Sequence, residues 1–189
     1  MIEKYRTPKP NEMIKIKRYL DDMTQCSIFL KNTFIGKRVF FCTDTNKVSV
    51  TFLTSNYMHL CGFKYDKGAG SFFNDCYNKT LDISKLNIKK DGTTFLKLNI
   101  LNAFPLLVKE NCSLTGQGRF LYIKFDYAIR TRRKVISLAL NSNGESTYPN
   151  SLLALYGMKE FPKGERITLI YSQDLKTGEI RNLYKIDSN

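Results

Sequence analysis

At Gly118 the hydrophobic pattern of this chain changes period. Beyond it Leu121, Ile123, Phe125 and Tyr127 alternate with Phe120, Tyr122, Lys124 and Asp126, the two-residue repeat of a half-buried strand. Short β-rich runs follow at residues 134–140, 151–155, 166–171 and 180–186, separated by SNGES, MKEFPKGE and DLKTGE. The last two separators contain glycine and have hairpin length. Connections this short join strands antiparallel, because a parallel return needs a long crossover.

Upstream the period is that of a helix. Residues 10–34 place Met13, Ile16, Leu20, Met23, Ser27 and Leu30 three and four positions apart, with Asn11 able to cap and Glu12 in the first turn. Gly36 interrupts the pattern, and RVFFCTDTNKVSVTFLT reads as two strands around a TDTNK turn, with Val48, Val50 and Phe52 on one face. SNYMHLCGFKYDKGAG reads as a loop leading into a short helix over 71–78. Residues 81–88 fit neither period, and residues 95–109 predict a helix that ends near Pro105. The expected fold is α+β, with N-terminal helices and a hairpin packed on a C-terminal antiparallel sheet. We expect a single domain over 1–189: an N-terminal helix in 1–35, a mixed hairpin and helices in 36–117, and the sheet in 118–189.

Charge narrows the function. The chain carries 30 Lys and Arg against 17 Asp and Glu, a formal +13, while 42% hydrophobic and 13% aromatic content suits a packed core rather than a disordered basic tail. Excess charge of this size attracts polyanions, nucleic acid first. The segment RFLYIKFDYAIRTRRK, residues 119–134, concentrates six Lys and Arg among four Phe and Tyr, which favours a partner over a merely solubilising surface. No run approaches the roughly eighteen apolar residues of a membrane span, and MIEKYRTPKPNEM lacks the apolar run of a signal peptide, so no membrane and a cytoplasmic location are expected. Cys26, Cys42, Cys61, Cys76 and Cys112 are odd in number and form neither CxxC nor a Cys/His cluster, as expected of reduced core residues.

The sequence contains no GxGxxG after a strand, no GxxxxGK[ST], no HExxH, no GxSxG and no DxDxDG. Its acids are dispersed, so a two-metal nuclease is not indicated and neither a metal nor a cofactor is expected. RNA cleavage can dispense with metal, because the 2′-hydroxyl is a built-in nucleophile and the protein need supply only a base, an acid and cations. His59, the only histidine, is a candidate for proton transfer among Tyr57, Lys64 and Tyr65, and equally a buried histidine bonded to a backbone carbonyl. Lys64 and Lys67, near Gly62, Gly68 and Gly70, are candidate phosphate ligands or plain loop charges. Arg119 and Lys124 lie on the basic strand, and Arg130, Arg132 and Arg133 in its turn to the next, as nucleic-acid contacts or a solvated turn. In STYPNSLL, Tyr148, Asn150 and Ser151 surround Pro149, where a rigid turn could aim a hydroxyl at phosphate or a ring at a base, or simply make a hairpin corner.

The order of these elements, HLCGFK, then GAGSFFNDCYNK, a leucine-rich helix, a basic strand and a late YPNSLL, resembles the phage-associated nuclease-like families grouped with barnase, EndoU, the tRNase colicins and RelE. The likeness runs from about Phe52 to the C-terminus. It implies N-terminal helices on a four-stranded antiparallel sheet, a barnase/RelE-like fold, metal-independent cleavage of RNA on the sheet face, and a role in phage, plasmid or toxin conflict. By position it points to His59 and to Ser151, whereas Arg119, Lys124 and Tyr148 come from the strands themselves. No Glu lies near His59, the closest acid being Asp66, so a barnase-like Glu/His pair is not carried over.

The expected activity is an endoribonuclease of mobile-element, phage or toxin type. His59 or Tyr148 would move the proton, with Lys64, Arg119, Lys124 and Ser151 around the phosphate. RNA is the expected partner, with an acidic antitoxin or inhibitor protein as a second. The alternative is a non-catalytic RNA- or DNA-binding regulator of phage or plasmid origin.

Overall fold

A turn breaks the alternation after Gly118, and much of the architecture follows from where that hairpin sits. The computed structural model describes residues 4–109, 112–131, 136–144, 146–155 and 161–186. In chain order the described elements are β1 (Tyr5–Arg6), α1 (Pro10–Lys17), α2 (Leu20–Thr33), β2 (Lys37–Cys42), β3 (Lys47–Thr51), α3 (Thr54–Cys61), β4 (Phe63–Tyr65), α4 (Ala69–Tyr77), β5 (Leu86–Lys89) and α5 (Thr93–Leu98). They continue with β6 (Cys112–Thr115), β7 (Gly118–Phe120), β8 (Ile123–Phe125), β9 (Tyr127–Thr131), β10 (Ile136–Ser142), β11 (Thr147–Ala154), β12 (Glu165–Arg166), β13 (Leu169–Asp174) and β14 (Ile180–Lys185). Two 3-10 segments, Ile83–Lys85 and Leu101–Val108, complete the helical content. The fold is α+β, and no helix among the described residues is long and apolar enough to cross a membrane.

The chain forms two compact units: Met1–Lys31 with Leu53–Asn102, and Asn32–Phe52 with Ala103–Asn189. The first holds α1, α3, α4, α5 and the small antiparallel sheet β1-β5-β4. Its core is aromatic: Phe72 lies 5.7 Å from Tyr57, 5.9 Å from Phe63 and 5.8 Å from Tyr65, centroid to centroid. The buried Tyr57 hydroxyl donates to the Met23 carbonyl at 2.6 Å, so burying this ring leaves no polar atom unpaired. The single helix expected over 10–34 is two. Both Arg18 and Tyr19 donate to carbonyls three residues back, which tightens the backbone between α1 and α2. The cap is also different from expectation, since Glu12, not Asn11, accepts the Lys9 N–H, and Arg6 grips the same carboxylate at 2.6 and 2.7 Å.

SNYMHLCGFKYDKGAG, expected as a loop, contains all but the first residue of α3, the whole of β4 and the start of α4 as far as Gly70. Leu53 donates its N–H to the Asn56 side chain at 2.7 Å, Tyr57, Leu60 and Cys61 bury one helical face, and Gly62 ends the helix at φ 78°. A Cβ on Gly62 would also approach the Thr94 Cα to 3.1 Å, so glycine serves both the turn and the close approach of α5. The helix expected to reach Pro105 stops at Leu98, and Pro105 lies inside the 3-10 segment that follows.

The second unit is built on a nine-stranded sheet in the order β12-β6-β9-β10-β11-β3-β2-β13-β14. Residues 136–140 of β10 are all buried, as suits a mid-sheet strand covered on both faces. The β2–β3 hairpin forms where expected, closed by the Thr43 N–H to the Asn46 carbonyl at 2.8 Å, with Val48, Val50 and Phe52 buried. One join departs from the expected antiparallel sheet: β11 meets β3 in parallel, Thr147 opposite Val50, which merges the early hairpin and the late strands into one mixed sheet larger than four strands. YPNSLL is strand, not turn. It lies within β11, where the register against β10 shifts between Ala139 and Leu140 and the pairing skips Asn150. Phe34, Phe52 and Phe104 pack at centroid separations of 5.8 to 6.4 Å in this unit's core. All five cysteines are free, and only Cys42 is not fully buried.

Candidate functional site

The β7–β8 hairpin of the second unit has two unlike faces. Gly118 pairs with Phe125, Arg119 with Lys124 and Phe120 with Ile123, so Phe120, Ile123 and Phe125 share one face and Arg119 and Lys124 the other. The apolar face joins Ala128, Ala139, Leu153, Leu155 and Phe161 in one cluster, with Phe161 5.6 Å from Phe120 and 5.7 Å from Phe125. Ala128 and Ala139 are direct partners across β9 and β10, and their small side chains leave room for the rings. Gly118 is part of the same fit, since a Cβ there would stand 2.9 Å from the Phe125 ring. Hydrophobic burial thus seats the hairpin and turns its two cations outward.

These cations border a pocket of about 500 Å³ lined by Gln117, Gly118, Arg119, Lys124, Phe125, Asp126, Asn141, Ser142 and Tyr148. Three residues singled out in the sequence, Arg119, Lys124 and Tyr148, therefore meet in one place. The register shift in β11 helps to build it: the Asn150 amide donates to the Lys124 carbonyl at 3.0 Å and to Asn141 Oδ1 at 3.1 Å, bracing β8 against β10. Asp126 is held from both sides, its N–H donating to the Leu140 carbonyl at 2.9 Å and its Oδ2 accepting the Ser142 N–H at 2.8 Å. Arg119 Nε donates to the Leu121 carbonyl at 2.9 Å, which fixes the root of the guanidinium and leaves its terminal nitrogens to the exposed face. The pocket combines two cations, one carboxylate, one phenol and two amides. That set can grip a phosphate and move a proton.

The remaining candidates lie elsewhere. Ser151 does not line the pocket; it is 5% exposed, opposite Ala139 in the sheet. Arg130 is not in a turn but inside β9, 8% exposed between Ser113 of β6 and Ser137 of β10, and its Nε finds no partner among the described residues. Burial lowers its pKa. Arg132 and Arg133 fall outside the described residues. Lys64 is exposed on β4 of the first unit, opposite Asn87, and Lys67 pairs with Asp75 at 3.8 Å.

His59 also belongs to the first unit, on α3, and its side chain is exposed rather than buried in a core. Partial desolvation of the ring, then the charges of Lys97, Lys89 and Lys4, lower its pKa from the ordinary imidazole value. Lys97, which sequence reasoning missed, is the unusual group here. It is 7% exposed, its Nζ donates to the His59 carbonyl at 3.0 Å, and burial, helped by Lys89, pushes its pKa down to about 8 from 10.5. Only its place on a helix face between Leu96 and Leu98 hinted at burial. Below pH 8 the cost of the buried ammonium is fully present; between about 8 and 10.5 the unfolded chain holds a proton that the folded chain has released, so folding gains stability as pH rises through that window. Lys97→Met is therefore expected to have its greatest stability relative to wild type near pH 7, with the difference shrinking towards pH 10.5. Paired denaturant titrations across that range check it, and a difference that does not vary with pH would contradict the assignment.

Asp126, Asn141 and Gln117 were also missed. Asp126 stands two residues beyond Lys124, and that spacing was the available signal. Among the described residues no three His, Cys, Asp or Glu side chains gather as a metal-binding group. No curated protein and no solved structure matches the chain. Residues 22–189 match one family model, described as PBECR4, phage-Barnase-EndoU-ColicinE5/D-RelE like nuclease4. The match takes in α2 from its third residue and every element after it, the pocket included, and on that extent the chain belongs to this phage-associated nuclease family.

Proposed function

We propose that the protein is an endoribonuclease whose cleavage centre is the pocket bordered by the cationic face of the β7–β8 hairpin. What carries this reading is the convergence of Arg119, Lys124, Asp126 and Tyr148 on one pocket in a chain of a nuclease family. In the proposed step a carboxylate oxygen of Asp126 takes the proton of the 2′-hydroxyl, the 2′-oxygen bonds to phosphorus, and the bond from phosphorus to the 5′-oxygen breaks. Tyr148 gives its phenolic proton to the departing 5′-oxygen. The products are a 2′,3′-cyclic phosphate and a 5′-hydroxyl. Arg119 and Lys124 hold the non-bridging oxygens as charge develops on them, where a planar guanidinium suits two oxygens at once. RNA as substrate and an acidic inhibitor protein as partner belong to the same reading, and the +13 charge supports both; a cytoplasmic setting is proposed with them.

A second reading, a nucleic-acid-binding regulator without catalysis, draws support from the pocket's lining, which does not include the sole histidine. Incubating the purified chain with total RNA in excess EDTA separates the two. Cleavage is expected, together with binding that weakens steeply as salt rises. Salt-sensitive binding with no product would replace the ribonuclease by the regulator.

A further inference from the structure

We propose that the β7–β8 hairpin reads single-stranded polynucleotide: one base stacks on Tyr122 at its tip while an adjacent phosphate lies between Arg119 and Lys124. The proposal rests on the pocket reading above and extends it to the form of the substrate.

Three observations converge on the hairpin. Arg119 and Lys124 are direct cross-strand partners on the outward face, where like charges repel, and neither makes an ion pair among the described residues. An anion placed between them converts that repulsion into two attractions. Second, the two-residue tip is Leu121 and Tyr122, with Leu121 at φ 52°, a conformation that disfavours residues with a Cβ and that glycine or asparagine would adopt readily. The tip keeps a leucine there, 63% exposed, beside a tyrosine 91% exposed, the most exposed large hydrophobic residue described. Third, Arg119 Nε donates to the Leu121 carbonyl, so one arginine both lines the pocket and fixes the turn that presents the ring.

None of this serves the hairpin's own packing, which Phe120, Ile123 and Phe125 supply from the other face. Tyr122 precedes Lys124 by two residues, about 7 Å of strand, so ring and cation are spaced to meet neighbouring parts of one extended chain. An exposed ring flanked by cations matches a polyanion that also carries flat apolar faces. Single strands offer those faces, whereas a duplex keeps them stacked inside.

The chain has no tryptophan, so Tyr122→Trp introduces a fluorophore found nowhere else in it. The full-length variant is titrated with 2′-O-methyl oligoadenylate, with the same strand annealed to its complement, and with an abasic strand of equal length. The 2′-O-methyl group removes the nucleophile, so the result is independent of cleavage. Emission should be quenched by the single strand and unmoved by the duplex or the abasic strand. Tyr122→Ala should bind oligoadenylate roughly tenfold or more weakly, the scale of one stacked base, with Tyr122→Phe close to wild type and melting temperatures unchanged. Unchanged emission with oligoadenylate, equal quenching by the abasic strand, or wild-type binding by Tyr122→Ala would overturn the proposal. Quenching without any cleavage of natural RNA would uphold the hairpin's role and remove the ribonuclease reading instead.

Discussion

Arg119→Ala should lower the rate of RNA cleavage by roughly a hundredfold to a thousandfold, the scale of losing one preorganised donor to a developing oxyanion, while leaving the melting temperature within a degree or two. Its guanidinium lies on the exposed face of β7, and its one hydrogen bond among the described residues is the Nε contact to the Leu121 carbonyl. Folding therefore loses little. Arg119→Lys should recover only part of the rate, since an ammonium keeps the charge but not the planar pair of donors. Single-turnover cleavage and thermal unfolding measured on one preparation check both statements. A large fall in melting temperature with normal activity per folded molecule would leave Arg119 with the turn alone and no part in cleavage.

The largest stability effect is expected at Phe104. Its ring is fully buried and stands edge-on to Phe34 at 6.3 Å and to Phe52 at 6.4 Å. Phe104→Ala removes both contacts and opens a cavity among residues that cannot all collapse into it, a loss of about 3 to 5 kcal/mol. Leu106, two positions on in the same 3-10 segment, is 41% exposed, and Leu106→Ala should change stability by less than about 0.5 kcal/mol. Urea unfolding of the two variants beside wild type makes the comparison, and equal losses would refute this account of the core.

How far the residues announced this structure differs from element to element. The β2–β3 hairpin was legible because a polar turn, TDTNK, separates two short runs rich in valine and phenylalanine, RVFFC and VSVTF. The change of period at Gly118 was legible too, but the turn at Leu121 and Tyr122 was not. It contains no glycine, asparagine or proline, and the chain tolerates a positive φ at a leucine instead. Inserting that turn puts Phe120 on the same face as Ile123 and Phe125, which uninterrupted alternation would not do, and places Arg119 opposite Lys124. The helix α3 was hidden because it is short, with only three buried positions, Tyr57, Leu60 and Cys61, and a half-buried methionine and an exposed histidine between them. Its signals were local: Asn56 three residues after Leu53, and Gly62 at the end.

The pocket was legible in its cations and in Tyr148, since basic residues interleaved with aromatics on a strand are visible in one dimension. Asp126 and Asn141 were not, because their relevance depends on the pairing of β8, β10 and β11 and on the register shift that brings Asn150 against both Lys124 and Asn141. Nor could the sequence show that Arg130 lies buried in β9, because a basic run reads as a turn until its first member is paired on both sides. The parallel join of β11 to β3 escaped for a different reason. It links residues about a hundred positions apart, and nothing local in either strand records its partner.

The most direct test of the central claim is the chemistry of the ends made when wild-type protein and Asp126→Asn cut a defined RNA in excess EDTA. Wild type should leave 2′,3′-cyclic phosphate and 5′-hydroxyl ends, and Asp126→Asn should cut at least a hundredfold more slowly. Ends bearing 5′-phosphate and 3′-hydroxyl, or an Asp126→Asn variant as fast as wild type, would contradict that claim.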